Sequence, residues 1–315
     1  MFLTAVALLL QETQAIREEE VTFGKEPWVG KGTLSWPAKV EGSVPAVVLV
    51  HGSGPQDRDG TIGENKPYRE FAQGLAKRGV ACLRYDKRNV AHRDKLVKFT
   101  VPEIVNVGLN WEVVEDAIAA VRYLKTFKQI TKVFVAGHSQ GGMLAPRIAV
   151  EEKAVDGIVS LAGLARRWDL AAIEQYEYLL PLQGGTKEQQ EKVLAGVKKG
   201  FARIVNKEMK ENEFFQGVSG KYWYEVFAQT PVETAKGLKV PILILQGEAD
   251  YNVTMADFAL WKEGLGDKAT FISYPGLNHL FIKVAGKKAT HLDSLRRGTV
   301  APEVLEAMAE WIRKS

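Results

Sequence analysis

Gly137-His138-Ser139-Gln140-Gly141 follows four strand-forming residues, Val133-Phe134-Val135-Ala136, and precedes an amphipathic stretch carrying Met143, Leu144, Ile148 and Ala149. A G-x-S-x-G pentapeptide alone is weak evidence. Between a buried strand and a helix, however, it describes a tight turn that lifts a serine hydroxyl clear of its neighbours. The flanking glycines have a physical reason, since Cβ atoms there would collide with a backbone bent so sharply. The plain alternative is a Gly-rich turn with a helix-capping serine. A serine hydroxyl is by itself a poor nucleophile. It needs a base to take its proton, a carboxylate to orient that base, and N–H donors for the charge that develops on an attacked carbonyl oxygen.

Downstream residues supply partners in the order serine, acid, base. Residues 240–253, V-P-I-L-I-L-Q-G-E-A-D-Y-N-V, begin as an apolar run typical of a buried parallel strand and end in a turn with Glu248 and Asp250. Asp250 sits deeper in that turn and is preferred to Glu248 as the orienting carboxylate, although a plain turn or surface role stays open for it. Residues 269–281, A-T-F-I-S-Y-P-G-L-N-H-L-F, form another strand with His279 in the following loop. Of five histidines, His51 and His138 belong to other motifs, His92 lies upstream of the serine and His291 lies in a polar, Lys-rich stretch. That leaves His279 as the candidate base, with a rate expected to rise as the imidazole loses its proton. For the oxyanion, donors typically contribute about 2.7 to 4 kcal/mol each. The N–H of Gln140, next to the nucleophile, is one. The other is sought where residues 46–54, A-V-V-L-V-H-G-S-G, run from a buried strand into a small-residue loop, at Ser53 with Gly54 next. An ordinary Gly turn is the rival reading of H-G-S-G.

With these strings in place, the chain resembles a bacterial α/β-hydrolase of the carboxylesterase group often labelled serine aminopeptidase-like, and more loosely dienelactone hydrolases and acylaminoacyl peptidases. The likeness is carried by H-G-S-G-P-Q-D-R-D-G-T-I-G-E-N-K-P-Y-R at 51–69, L-R-Y-D-K-R at 83–88, G-H-S-Q-G-G-M-L-A-P-R at 137–147, L-Q-G-E-A-D-Y at 245–251 and Y-P-G-L-N-H-L-F at 274–281. It implies a Ser139, Asp250, His279 triad acting on small-molecule esters, short-chain ones typically. Ala249 stands where relatives often carry a basic residue, which leaves the triad intact and changes the charge beside Asp250. The same triad serves peptidases and thioesterases, because the serine turn fixes acyl transfer and not the leaving group. A non-catalytic binding protein of this fold is a remoter alternative, since it would usually lack a triad member.

The elements that must position these residues alternate between strand and helix. Strands are expected near 19–24, 29–36, 46–50, 80–86, 132–136, 157–162, 240–246 and 269–274, with helices near 67–78, 106–126, 140–152, 254–265 and 302–313. Such repeated units predict an α/β fold, a mostly parallel eight-stranded sheet flanked by helices. Residues 16–163 and 237–315 form the core on this reading, and 164–236 a helical cap inserted after the sixth strand. Helices are expected there over Leu170–Leu180 and Lys187–Glu211, followed by a Gly-punctuated aromatic segment. Trp168, Tyr176, Tyr222, Trp223 and Phe227 are candidates for the substrate pocket; rings of this kind also build a cap's own core.

Composition bounds the rest. The 315 residues, 46% hydrophobic, suffice for one large core. Charges are well mixed, 42 basic against 38 acidic, with none of the basic striping that nucleic acid binding requires. Cys82 is the single cysteine and Cys/His metal spacing is absent; Asp57-Arg58-Asp59-Gly60 lacks the further ligands of a calcium loop. No cofactor or metal is therefore expected, and Asp57, Arg58 and Asp59 are expected to brace the loop behind Ser53. The apolar run Phe2–Leu10 is too short to span a bilayer. Residues 1–15 read as a signal segment without its basic start, which favours a secreted or periplasmic protein over a cytoplasmic one.

Overall fold

The computed structural model describes residues 16–286 and 288–315, so the signal-segment reading of residues 1–15 lies outside the described residues. Eight strands form one sheet: β1 (Ile16–Lys25), β2 (Trp28–Pro37), β3 (Val44–Val50), β4 (Ala81–Tyr85), β5 (Ile130–His138), β6 (Gly157–Leu161), β7 (Ile242–Gly247) and β8 (Ala269–Tyr274). Their spatial order is β1-β2-β4-β3-β5-β6-β7-β8. β1 and β2 form an antiparallel hairpin at one edge, and β2 meets β4 antiparallel; every later pairing is parallel. The central strands β4 and β6 are buried along their whole length because helices cover both faces.

On one face lie α1 (Pro67–Ala76) and the C-terminal helix Pro302–Lys314, each opened by a proline in its first turn, where no N–H is needed. The other face carries α2 (Glu115–Leu124), the helix after the serine, α3 (Gln140–Glu151), and later Met255–Leu265; their apolar sides share a core with Val133, Val135, Ile158 and Ile244. Among the described residues, no helix is long and apolar enough to cross a membrane.

Two expectations require correction. The helix expected over 106–126 begins at Asn110 with a π-helical turn, Asn110–Val114, before α2. At its start the Leu109 N–H donates to the Glu225 carboxylate at 2.8 Å, so the helix end is met by a side chain 116 residues away and not by a local cap. Between β6 and β7, helices α4 (Trp168–Gln183), α5 (Lys187–Val205) and α6 (Gly220–Phe227) form, but α5 stops short of Glu211, with Lys207 in the left-handed region. A hairpin then pairs Phe214–Phe215 with Val218–Ser219. Gln216 and Gly217 both take positive φ, which suits a two-residue hairpin turn and not a helix.

Candidate active site

The candidate residues converge because β3, β5, β7 and β8 run parallel and end at the same edge of the sheet. β5 delivers Ser139 with φ 55° and ψ −116°, a strained conformation for a residue with a side chain. The turn is possible because of its glycines. A Cβ on Gly137 would lie 2.0 Å from the Gly141 carbonyl oxygen, and one on Gly141 would lie 2.5 Å from the carbonyl oxygens of Val50 and His51. The Ser139 N–H donates to the Leu161 carbonyl at 2.9 Å, pinning the turn to β6.

Asp250 is buried after β7. Its Oδ1 accepts the N–H groups of Asn252 and Val253, at 2.7 and 3.2 Å, while Oδ2 lies 2.6 Å from His279 Nδ1. Nδ1 is the donor to that carboxylate, which leaves Nε2 with its lone pair free to accept a proton. Glu248, the rival acid, is exposed and accepts the Ser273 hydroxyl at 2.7 Å instead. His279 and Ser139 border the same cavity of about 210 Å³, with Gly52, Ser53, Trp168 and Leu280.

Tyr68 and His138 hold the histidine loop, a role that sequence reasoning missed. Burial, with the adjacent His279 ring, pushes the His138 pKa down to about 3, so the ring is neutral. Its Nε2–H donates to the His279 carbonyl at 2.8 Å, and its Nδ1 lies 3.1 Å from the Tyr68 hydroxyl, for whose single proton it competes with Gln56 Oε1 at 3.0 Å. The same hydroxyl accepts the Gly52 N–H at 3.2 Å. Tyr68 lies in the N-K-P-Y-R string, but nothing in its spacing assigns it this contact.

Gly52 is so close to the elbow that a Cβ on it would lie 3.2 Å from Ser139 Cβ. The backbone N–H groups of Ser53 and Gln140 have no partner among the described residues. Ser53 borders both the Ser139 cavity and its larger neighbour, whereas Gly54, the second choice, and Gln140 border the neighbour only. The loop is braced as its charges suggest: Asp57 Oδ1 accepts the N–H groups of Asp59 and Thr61, Arg58 pairs with Asp86 at 2.7 Å, and Asp59 pairs with Arg84 and Lys66, both at 3.1 Å. Beneath it, Lys87 is buried and its Nζ donates to the carbonyls of Gly52 and Gly54, at 2.8 and 3.0 Å.

The neighbouring cavity, about 520 Å³, is walled mainly by Phe99, Trp111, Trp168, Trp223 and Val226, and it meets the smaller one at Ser53 and Trp168. Of the five aromatic candidates, Trp168 borders both cavities, and Tyr222 and Trp223 border the larger. Tyr176 and Phe227 lie at neither. The Tyr176 hydroxyl accepts from Gln216 at 3.3 Å, and the Phe227 ring stacks on Phe201 under the Arg167 guanidinium. Both belong to the packing of the insert itself.

Comparison with known proteins agrees with this architecture. The family model described as serine aminopeptidase, S33, matches residues 45–283. Esterase EstD of Thermotoga maritima is 36% identical over 305 residues, which are 96% of this chain and 69% of that protein. Among solved structures, Est1E from Butyrivibrio proteoclasticus superposes with a TM-score of 0.59 at 18% identity, covering 94% of this chain and 98% of its own. The Pyrococcus horikoshii acylaminoacyl peptidase gives 0.59 at 15% identity, covering 97% of this chain and 43% of its own. The sheet order, the strand-ending serine turn and the extent of the match together mean that the chain has the α/β-hydrolase fold and belongs to the serine aminopeptidase S33 family.

Proposed function

We propose that the protein is a carboxylesterase that hydrolyses small-molecule esters through Ser139, His279 and Asp250. One observation carries the reading. A buried carboxylate lies 2.6 Å from the imidazole of His279, and that histidine shares a cavity with a serine on a strained strand-to-helix turn. His279 Nε2 takes the Ser139 proton as Oγ attacks the ester carbonyl, and Asp250 keeps the imidazole in the required tautomer. The oxyanion is received by the N–H groups of Gln140, at the start of α3, and Ser53. The imidazolium then protonates the departing alkoxide. Water, deprotonated by the same imidazole, attacks the acyl-enzyme, releasing the acid and returning the proton to Ser139.

The similarity to EstD, named as an esterase, supports ester over amide hydrolysis. So does the larger cavity, whose bordering acid Glu112 is already paired with Lys87 at 3.2 Å and is therefore not a free site for a substrate ammonium. The insert residues 164–236 act as the cap, and the two cavities divide the ester: the carbonyl sits in the smaller, and an apolar substituent of short to medium length enters the larger. An organophosphonate should label Ser139 stoichiometrically, and Ser139→Ala should lower kcat by a factor on the order of 10⁶. Across nitrophenyl esters from acetate to palmitate, turnover should peak at short or medium chains and fall toward palmitate. Wild-type-like activity in Ser139→Ala would overturn the site, faster turnover of an aminoacyl anilide would favour a peptidase, and a rise through palmitate would remove the chain-length reading.

A further inference from the structure

Lys87 and Glu112 are buried polar residues that the proposed reaction does not consume. The Lys87 ammonium donates to the carbonyl oxygens of Gly52 and Gly54, at 2.8 and 3.0 Å, and forms an ion pair with Glu112 Oε1 at 3.2 Å. Burial pulls the Lys87 pKa below its ordinary value, opposed by the Glu112 charge. Glu112 Oε2 accepts the Tyr222 hydroxyl at 2.6 Å, and that hydroxyl accepts the Gln140 side-chain N–H at 3.0 Å. The network thus starts under the loop that carries Ser53 and ends on the residue after the nucleophile.

Peptide geometry gives these contacts a consequence. In a trans peptide the C=O and the following N–H point in opposite directions. Holding the Gly52 oxygen on Lys87 therefore turns the Ser53 N–H away from Lys87, at a residue that borders both the Ser139 cavity and the larger one. A cation on the carbonyl also polarises the peptide and strengthens its N–H as a donor. At the other end, Tyr222 fixes the Gln140 side chain and, through it, the first residue of α3. Tyr222 itself belongs to the segment between β6 and β7. Ser219 caps its helix, accepting the Tyr222 N–H at 3.2 Å, and the Ser219 hydroxyl donates to the Val105 carbonyl at 3.1 Å. Lys221 Nζ reaches Asn106 Oδ1 at 2.7 Å.

We propose that Lys87 is a positioning residue that aims both backbone donors of the oxyanion hole through one buried network, which Tyr222, supplied by the insert, completes at Gln140. The proposal rests on Ser139 being the nucleophile and on the Gln140 and Ser53 N–H groups receiving the oxyanion. It predicts a defect in transition-state stabilisation and not in ground-state binding.

The test uses the full chain, with kcat referred to the active-site concentration titrated by an organophosphonate. Lys87→Met should lower kcat on nitrophenyl butyrate by about 10- to 100-fold, less than the roughly 10²–10³ for outright loss of a donor, with KM within about three-fold. Its affinity for an aryl trifluoromethyl ketone, which forms an oxyanion on a serine, should weaken by the same factor. Tyr222→Phe should show the same pattern at about three- to ten-fold. Because Lys87→Met strands the Glu112 charge, the double variant Lys87→Met/Glu112→Gln is measured beside it. If neither lysine variant folds, Tyr222→Phe decides the proposal. A variant that folds with kcat and ketone affinity within two-fold of wild type overturns the role of that residue, as does a lowered melting temperature with kcat per active site unchanged. A wild type that neither hydrolyses the ester nor binds the ketone would instead bring down the esterase reading beneath it.

Discussion

Ser139 can stand clear of the backbone because its neighbours have no side chain at the points of closest approach, and its partners are chosen by burial as much as by type. Glu248 and Asp250 are two residues apart, yet one is exposed and bonded to Ser273 while the other is buried against His279. Asp250→Asn should therefore lower kcat by a factor on the order of 10⁴, since an amide there favours the wrong imidazole tautomer. Glu248→Gln should leave kcat within two-fold. Steady-state kinetics on one nitrophenyl ester distinguish the two, and the reverse pattern would reassign the acid. At this scale the sequence was legible where a residue's own chemistry restricts its use, as with the glycines and the serine. Tyr68 and Lys87 were illegible because a tyrosine or lysine becomes a positioning group only through partners brought in by the fold.

At the scale of elements, the insert is anchored where it leaves the sheet. Asp257, on the helix Met255–Leu265, is fully buried and accepts the N–H groups of Ala165 and Arg166, at 3.0 and 3.2 Å. The Arg166 guanidinium lies 3.2 Å from its other oxygen, as an ion pair outside hydrogen-bond geometry. Trp261, one turn further, donates its indole N–H to the Gly163 carbonyl at 2.8 Å. Removing the carboxylate leaves the Ala165 and Arg166 N–H groups without their acceptor, while the half-buried Arg166 guanidinium keeps Glu174, so Asp257→Ala should cost about 2 kcal/mol. Because α4, which follows directly, places Trp168, Ala171 and Ala172 on the Ser139 cavity, KM should rise as well. Urea denaturation checks the first effect; a loss below about 1 kcal/mol would mean that the clasp contributes little.

Across the whole molecule, the acid limit of stability is set partly by neutral histidines. Burial pushes both His51 and His138 down to about 3, helped at His51 by the nearby Lys87 charge and at His138 by His279. In the unfolded chain each protonates near the ordinary value of about 6.5. Each therefore takes up a proton on unfolding, and stability falls as pH drops from about 6.5 toward 3. The slope approaches about 1.4 kcal/mol per pH unit for each histidine. Glu18, Glu20 and Asp59, whose pKa values are lowered, act in the same direction only at more acidic pH. Asp116 and Asp257, whose carboxyl pKa values burial raises, act in the opposite sense as pH falls. Urea midpoints of wild type and of His138→Asn are therefore compared at pH 7, 6 and 5, and the same pH slope in both would contradict neutral burial of His138.

The order of strands and helices, the glycine-framed serine turn and the succession Ser139, Asp250, His279 were all present in the sequence. Each depends on local rules: apolar periodicity, the steric freedom of glycine and the direction in which parallel strands must run. The limits of that local reading show at Asn110 and at Gln216-Gly217, where a distant Glu225 caps the helix start and a two-residue turn makes a hairpin. Tertiary structure alone decided which carboxylate faces the histidine, which rings border the cavities and which pack the insert, and that Lys87, Glu112 and Tyr222 connect the two candidate oxyanion donors. Tyr222 and Glu112 are 110 residues apart. No periodicity or propensity encodes such a pairing. It exists because burying a polar group without a partner is costly, and only the folded chain determines which partners lie within reach.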